Sequence, residues 1–361
     1  MLLKLNNMKI TLIGKTLTSL VLAYVLANKK ISIEIISKNE IKSYISSRTL
    51  AISKNNFEFL NKILNKKIKS WKASKIKIYN EKLDDGSLVE FDNERKELFH
   101  LVKYTELYNI FKNEISKNNF IKIKQKISND SSLIINTDIN SNLTKKYFFK
   151  KINKNYRSFA YTGIIEHKKI KNLVAHQIFT KFGPLAYLPL SNNKTSIVYS
   201  YNGKTNINSQ EIKKILNKYK MNYQITKIGN IEKFKLNFSA LRNYFHKNIL
   251  AFGDLLHKVH PVAGQGFNMT IRDIIILSSI IDSKIDLGLD VDASVASEFE
   301  KKSKHINFIF SSGIDFIYGF FIFDNKVNNY LSKPIFRFLN NSNVLKKKSI
   351  FFADKGLSNF Y

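Results

Sequence analysis

Between residues 253 and 268 the chain reads Gly253-Asp254-Leu255-Leu256-His257-Lys258-Val259-His260-Pro261-Val262-Ala263-Gly264-Gln265-Gly266-Phe267-Asn268. An acid, a proline and two glycines around a glutamine are spaced to hold a flat ring carried on a sugar-alcohol chain. The apolar run Asn248 to Phe252 predicts a buried strand ending at Gly253. Asp254 then stands at a strand's carboxyl end, where its carboxylate can accept hydrogen bonds from hydroxyl groups. Pro261 fixes the backbone and offers no N–H, while Gly264 and Gly266 let the main chain come close to a ring. Asn268 is a good N-cap, and Met269 to Ile281 predicts a helix whose positive end faces whatever the glycines cradle. That polarity suits the pyrimidine edge of a flavin, which becomes negative on reduction.

On these residues the segment resembles the second FAD motif of class A flavin monooxygenases, G-D-x-x-H-x-x-x-P-x-x-G-Q-G-x-N. His260-Pro261, Ala263 to Gly266 and Arg272-Asp273 repeat the wording of one subfamily, the polyprenyl-phenol hydroxylases of ubiquinone biosynthesis. Ala175-His176-Gln177-Ile178-Phe179, Gly183 to Leu190 and the closing phrase Phe351 to Leu357 are similar to the same subfamily. The resemblance implies FAD as cofactor, NAD(P)H as co-substrate, O2, and hydroxylation of the aromatic ring of a polyprenylated phenol. The organic chemistry then belongs to the flavin, and the protein binds, aligns and excludes water. By the same resemblance Gly253 and Asp254 serve the ribityl chain, Gly264, Gln265, Gly266 and Asn268 the pyrimidine edge, and Pro261 with Gln265 the reactive face. No acid, base or metal is assigned.

The elements that must position this motif begin near the N-terminus. Lys9 to Ile13 predicts a strand, Leu17 to Ala27 a helix and Ile31 to Ser37 a second strand, a βαβ unit of dinucleotide-binding length. The G-x-G-x-x-G fingerprint falls at Gly14-Lys15-Thr16-Leu17-Thr18-Ser19, with Thr16 and Ser19 in place of glycines. Ser37 replaces the ribose-binding acid, and Glu40 lies past the expected position. Hydroxyls at Thr16 and Ser19 are suited to a phosphate, although close backbone approach is harder. Arg48, in Ser47-Arg48-Thr49-Leu50-Ala51-Ile52-Ser53, resembles the family's arginine along the FAD, and a planar guanidinium suits the diphosphate side. The bland alternative is a surface arginine ahead of the helix Asn55 to Leu64. Asp138 matches the first residue of the family's central Asp-Gly motif, with Ile139 where the glycine would be. A solvated loop aspartate is the other reading.

The patterning predicts an α/β fold: a Rossmann-like FAD-binding domain, an inserted antiparallel substrate sheet and a helical C-terminal region. Residues 1–73, 96–145 and 232–300 are assigned to the first, 74–95 and 146–231 to the second, and 301–361 to the third. A hairpin is expected across 74–92 with its turn at Asp85-Gly86, a helix over Thr105 to Ile115, and strands over Ser158 to Glu166, Val174 to Thr180, Leu185 to Leu190 and Thr195 to Tyr201. Pro184 and Pro189 point to edge or rim positions. Beyond residue 300, Phe308, Ile309, Phe316, Ile317, Phe320 and Phe321 recur at helical spacing. Core packing is one reading and contact with lipid or an apolar substrate tail the other.

The chain has 361 residues, a net charge of +31 and no cysteine, which removes disulfides and thiolate metal sites. Met1 to Ile13 has too short an apolar run for a signal peptide, and no stretch of membrane-spanning length is free of charge. The charge excess is nearly all lysine, scattered along every segment beside many asparagines and isoleucines, as AT-rich codon usage would enforce. No nucleic-acid role is therefore read from it, whereas attraction to anionic lipid headgroups follows whatever its origin. The expected location is cytoplasmic, peripheral at the inner membrane face. No G-x-S-x-G elbow or P-loop occurs. The weakened first fingerprint leaves a second class open, a catalytically impaired relative that serves as an assembly partner among ubiquinone-biosynthesis proteins.

Overall fold

A computed structural model describes residues 8–37, 47–81, 83, 86–92, 97–128, 130–203, 207–327 and 330–356. Glu40, Asp85 and Leu357 lie outside these residues. The predicted βαβ unit is present as β1 (Lys9–Ile13), α1 (Leu17–Ala27) and β2 (Ser32–Ile36). β3 (Thr49–Ser53) runs directly into α2 (Lys54–Leu64), followed by β4 (Trp71–Ala73), β5 (Lys75–Tyr79), β6 (Val89–Asp92) and β7 (Phe99–Lys103). Next come α3 (Tyr104–Ser116), β8 (Ile121–Lys124), β9 (Leu133–Asn136) and α4 (Asn142–Tyr147). β10 (Lys151–His167), β11 (Val174–Thr180), β12 (Gly183–Pro189) and β13 (Lys194–Tyr201) precede α5 (Ser209–Lys218), β14 (Ile225–Ile228) and β15 (Glu232–Leu241). The chain returns through β16 (Phe245–His246), β17 (Ile249–Ala251) and β18 (His257–Lys258) to α6 (Gln265–Asp286). It finishes in α7 (Ala293–Lys326), α8 (Ser332–Asn341) and α9 (Asn343–Lys355).

One sheet has the order β16-β17-β9-β1-β2-β8 and is parallel from β17 to β8. This is the doubly wound arrangement in which ligands gather outside the carboxyl ends of the strands. Ile10, Leu12, Ile33 and Ile35 are fully buried, as parallel strands covered on both faces require. Each such side chain contributes about 1.5–3 kcal/mol. α1 is buried nearly all round, which explains its unbroken apolar run.

The second sheet runs β18-β15-β10-β13-β12-β11-β5-β6, with β14 beside β10. The expected hairpin is β5 and β6, paired from Lys75↔Asp92 to Ile78↔Val89. Three expectations are corrected here. β15, assigned by sequence to the FAD-binding part at 232–300, pairs with β10 along its length, so that boundary moves beyond Leu241. β10 begins at Lys151, well before Ser158, because a bulge between Asn155 and Ser158, with Arg157 at φ +52°, lets one long strand bend without ending. β12 is an interior strand, so Pro184 and Pro189 are not on a sheet edge. Pro184 takes its second paired position and Pro189 its last, so both stand at strand ends on the rim, the other half of the expectation.

A third small sheet, β3-β7-β4, lies beside the second motif. The C-terminal helical region begins earlier than residue 301, since α7 starts at Ala293. Its buried side chains Phe299, Ser303, Asn307, Ser311, Ile314, Tyr318 and Phe321 recur every three or four positions. One face of α7 therefore packs on the body, and the core-packing reading holds for that face only.

Candidate active site

Gly14, Thr16, Ser19, Ser37 and Asp138 gather at the carboxyl edge of the parallel sheet, following β1, β2 and β9. Gly14 has φ +97°, and an added Cβ would lie 3.0 Å from Thr137 Oγ1 and 3.1 Å from the Asp138 Cβ. Only glycine lets the ends of β1 and β9 approach this closely. Thr16 is the N-cap of α1 and forms a capping box with Ser19. The hydroxyls expected to suit a phosphate are turned inward: Thr16 Oγ1 is 3.1 Å, and Ser19 Oγ 2.8 Å, from Thr137 Oγ1. Thr137 Oγ1 in turn donates to the Ile13 carbonyl at 2.9 Å. This corrects the expectation, and Thr137, which sequence reading passed over, closes the cluster.

Ser37 follows the last residue of β2, and its N–H donates to the Lys124 carbonyl at 3.1 Å. The acid of β2 is Glu34, buried in mid-strand and bonded to Lys124 Nζ at 2.7 Å, so it is not available at the strand's end. Asp138 Oδ1 accepts the Asn140 N–H at 2.8 Å, holding its own loop.

Arg48, Asp254, Pro261, Gly264, Gln265 and Gly266 converge elsewhere, on the wall of a cavity of about 1020 Å3. Arg48 lies 5.0 Å over the Tyr104 ring. Burial pushes the Tyr104 phenol up, while Arg48 and the Leu17 N–H at the start of α1 pull it back. Tyr104 thus stands between the two clusters, on the helix end where an anion would settle. Its signal in sequence was its place at the carboxyl end of the apolar run that forms β7. Thr49, also on the cavity wall, has a buried Oγ1 without a hydrogen-bond partner among the described residues.

Helix α6 does not begin after Asn268, as expected, but at Gln265, with Gly264 in the left-handed region at φ +61° as its N-cap. An added Cβ at Gly264 would come within 3.2 Å of the Ala51 Cβ, so this glycine serves turn and packing together. The earlier start places the first-turn N–H groups of Gln265, Gly266 and Phe267 at the cavity, where a helix lacks intrahelical acceptors. Asn268 is fully buried and bonded to protein. Its Oδ1 accepts the Ser53 N–H at 2.9 Å and Asn56 Nδ2 at 3.0 Å, and its Nδ2 donates to the Ala51 carbonyl at 2.8 Å. Asn268 pins β3 to α6 and does not face the cavity. Gly253 opens the short turn Gly253–Leu255, which presents the exposed Asp254 to the cavity.

The Arg272-Asp273 pair is internal. Asp273 Oδ2 is 2.7 Å from His257 Nε2, and Asp273 Oδ1 accepts from Asn307 Nδ2 at 2.8 Å. α6, α7 and the strand that follows the Asp254 turn are thereby fastened together. Arg272 is half-buried over the Phe310 ring at 4.4 Å, and the loss of solvent around it lowers its guanidinium to about 10. His260 is fully buried against Tyr318, with ring centroids 3.9 Å apart, and burial lowers it to about 3. His100, stacked on Phe57, is lowered to about 4, chiefly by burial.

These two histidines predict acid sensitivity. Their folded pKa values lie below the unfolded value near 6.5, so both states are neutral above it and neither residue contributes. As pH falls below about 6.5 only the unfolded chain takes up the protons, and each histidine removes about 1.4 kcal/mol per pH unit down to its folded value. Urea midpoints at pH 7 and pH 5 should differ accordingly. His100→Phe should flatten the slope by one proton's worth, and an unchanged slope would refute the assignment.

The polar groups on the cavity wall fit a flavin. The Asp254 carboxylate, the Arg48 guanidinium and the α6 N-terminus line the same space. A family profile described as "FAD binding domain" matches residues 143–286. Ubiquinone hydroxylase UbiL of Rhodospirillum rubrum is 27% identical over 153 residues, 40% of this chain and 36% of that protein. The 3-demethoxyubiquinol 3-hydroxylase of Escherichia coli is 29% identical over 197 residues, 49% of this chain and 47% of that protein. In both, the matched stretch spans less than half of the relative's length. In fold, the chain is similar to p-nitrophenol 4-monooxygenase from Pseudomonas putida, with a TM-score of 0.78 at 11% identity over 95% of this chain and 97% of that one. Residues 143–286 thus match an FAD binding domain, the chain shares its fold with p-nitrophenol 4-monooxygenase, and hydroxylases named for ubiquinone biosynthesis are among its relatives.

Proposed function

We propose that the protein hydroxylates the ring of a polyprenylated phenol in ubiquinone biosynthesis, using FAD, NAD(P)H and O2, in the cytoplasm at the inner membrane face. The observation that supports this is the make-up of the cavity. Arg48, Asp254 and Gln265 line it together with Ile76, Leu188, Phe320 and Phe336. A polar cofactor and a long apolar substrate need such a space in common.

Bound FAD would supply the redox chemistry, passing one oxygen atom of O2 to the ring and the other to water with NAD(P)H as reductant. The chain's own residues do the rest. Asp254 accepts hydrogen bonds from the ribityl hydroxyls, and the first-turn N–H groups of α6 favour negative charge on the pyrimidine edge. Arg48 serves the phosphate side. Pro261, lacking an N–H, and the neutral His260 border the reacting space without offering it a backbone or cationic proton. The apolar lining of the sheet and the C-terminal helices excludes water and aligns the ring.

The test is reconstitution. Purified protein should take up FAD without a covalent bond and oxidise NADH or NADPH in step with phenol hydroxylation. Cells lacking the protein should accumulate the unhydroxylated precursor. Protein that neither carries nor takes up flavin would end this reading.

A further inference from the structure

The cavity has a mouth, and the mouth lies on an apolar surface. Phe316, Ile317 and Ile335 line the cavity and are also 72%, 44% and 51% exposed. Around them the outer faces of α7, α8 and α9 expose Phe308, Phe323, Phe338 and Val344, an extent of apolar surface that marks an interaction site. α7 is long and apolar enough to cross a membrane by length and composition. Its other face is committed to the body through Asn307, bonded to Asp273, and through Tyr318, stacked on His260. It therefore lies along a surface and does not leave the fold to span one.

The charge around this face has one sign. Residues 326–356 contain Lys326, Lys333, Arg337, Lys346, Lys347, Lys348 and Lys355 against a single acid, Asp354. Asp354 accepts the Asn55 N–H at 2.9 Å on the inner side. Of the two acids just before, Asp315 is held by Tyr156 at 2.8 Å and Asp324 is fully buried, accepting the Leu331 N–H at 2.8 Å.

We propose that the outer face of α7, α8 and α9 docks on a bilayer leaflet containing anionic lipid, and that the cavity opens into that leaflet between Phe316 and Ile335. Exposed phenyl groups enter the acyl boundary while the lysines and Arg337 meet the headgroups. A long-tailed phenol then passes from the bilayer into the cavity without crossing water. The docking stands on the surface alone; the purpose of the mouth rests on the reading under Proposed function.

The experiment is flotation of the full-length protein with vesicles of phosphatidylcholine, alone or mixed with phosphatidylglycerol, at low and high salt. The wild type should float with the anionic vesicles at low salt and be released by salt. Lys346→Gln/Lys347→Gln/Lys348→Gln should weaken binding roughly a hundredfold, and Phe308→Asp/Phe338→Asp should abolish it. FAD titration and thermal unfolding of each variant should match the wild type, which separates lost docking from lost folding. Equal recovery with both vesicle types, or variants that float like the wild type, would overturn the proposal. So would a wild-type dimer in gel filtration that Phe308→Asp/Phe338→Asp splits into monomers, since a second copy would then cover the face. Turnover of a short-chain, water-soluble phenol is the separate control: it fails only if the hydroxylase reading fails.

Discussion

Asp254→Ala should leave a folded protein whose FAD affinity falls by about 1.5–3 kcal/mol, the worth of hydrogen bonds to a charged group. That is roughly ten- to more than a hundredfold in Kd. The carboxylate is exposed on the cavity wall, while its neighbours Phe252, Leu255 and Leu256 are buried and hold the turn. Truncation therefore removes an acceptor without removing packing. Asp254→Asn, which keeps an acceptor oxygen without the charge, should fall in between. Fluorescence titration of apoprotein measures the effect, with the melting temperature as the control for folding. Wild-type affinity in Asp254→Ala would place the ribityl chain somewhere else.

Asp273→Ala should act on the fold first. The side chain is 1% exposed and joins His257 to Asn307, so its removal leaves two buried polar groups without their acceptor. Each buried polar group left without its acceptor costs about 1–3 kcal/mol. The urea midpoint should drop with an unchanged slope. FAD affinity should weaken too, because His257 lies on the strand that follows the Asp254 turn. Asp273→Asn retains one acceptor and should recover part of the loss. A midpoint within error of the wild type would mean that His257 and Asn307 find other partners.

The difference between what was and was not legible in the sequence follows the range of the interactions. β1, α1 and β2 could be read because apolar runs and a glycine are local signals, and the Gly253–Asn268 segment because its chemistry lies within one stretch. Asn268 was misread as an N-cap because its side chain is taken by Ser53 and Ala51, 215 and 217 positions upstream. The Thr16 and Ser19 hydroxyls were read as suited to a phosphate because Thr137, which takes them, lies 121 and 118 positions away. β15 looked like part of the returning α/β chain because only its pairing with β10 reveals its sheet. Tyr104 sits at a strand end in sequence, but its place between Arg48 and the start of α1 depends on three separated segments.

The last described residues close a circuit with the first third of the chain. Ser53 Oγ donates to the Asp354 carbonyl at 3.2 Å and the Asn55 N–H to its carboxylate at 2.9 Å, across 301 and 299 positions. β17, beside β9 in the parallel sheet, is also absent until residue 251 has been made. A ribosome therefore releases β1, β2, β8 and β9 by residue 136, and the outer edge of β9 waits unpaired until β17 follows. Loop-closure entropy across such separations makes final assembly slow. The cavity wall to which Ser53 and Asp354 both belong cannot close before residue 354 has been made.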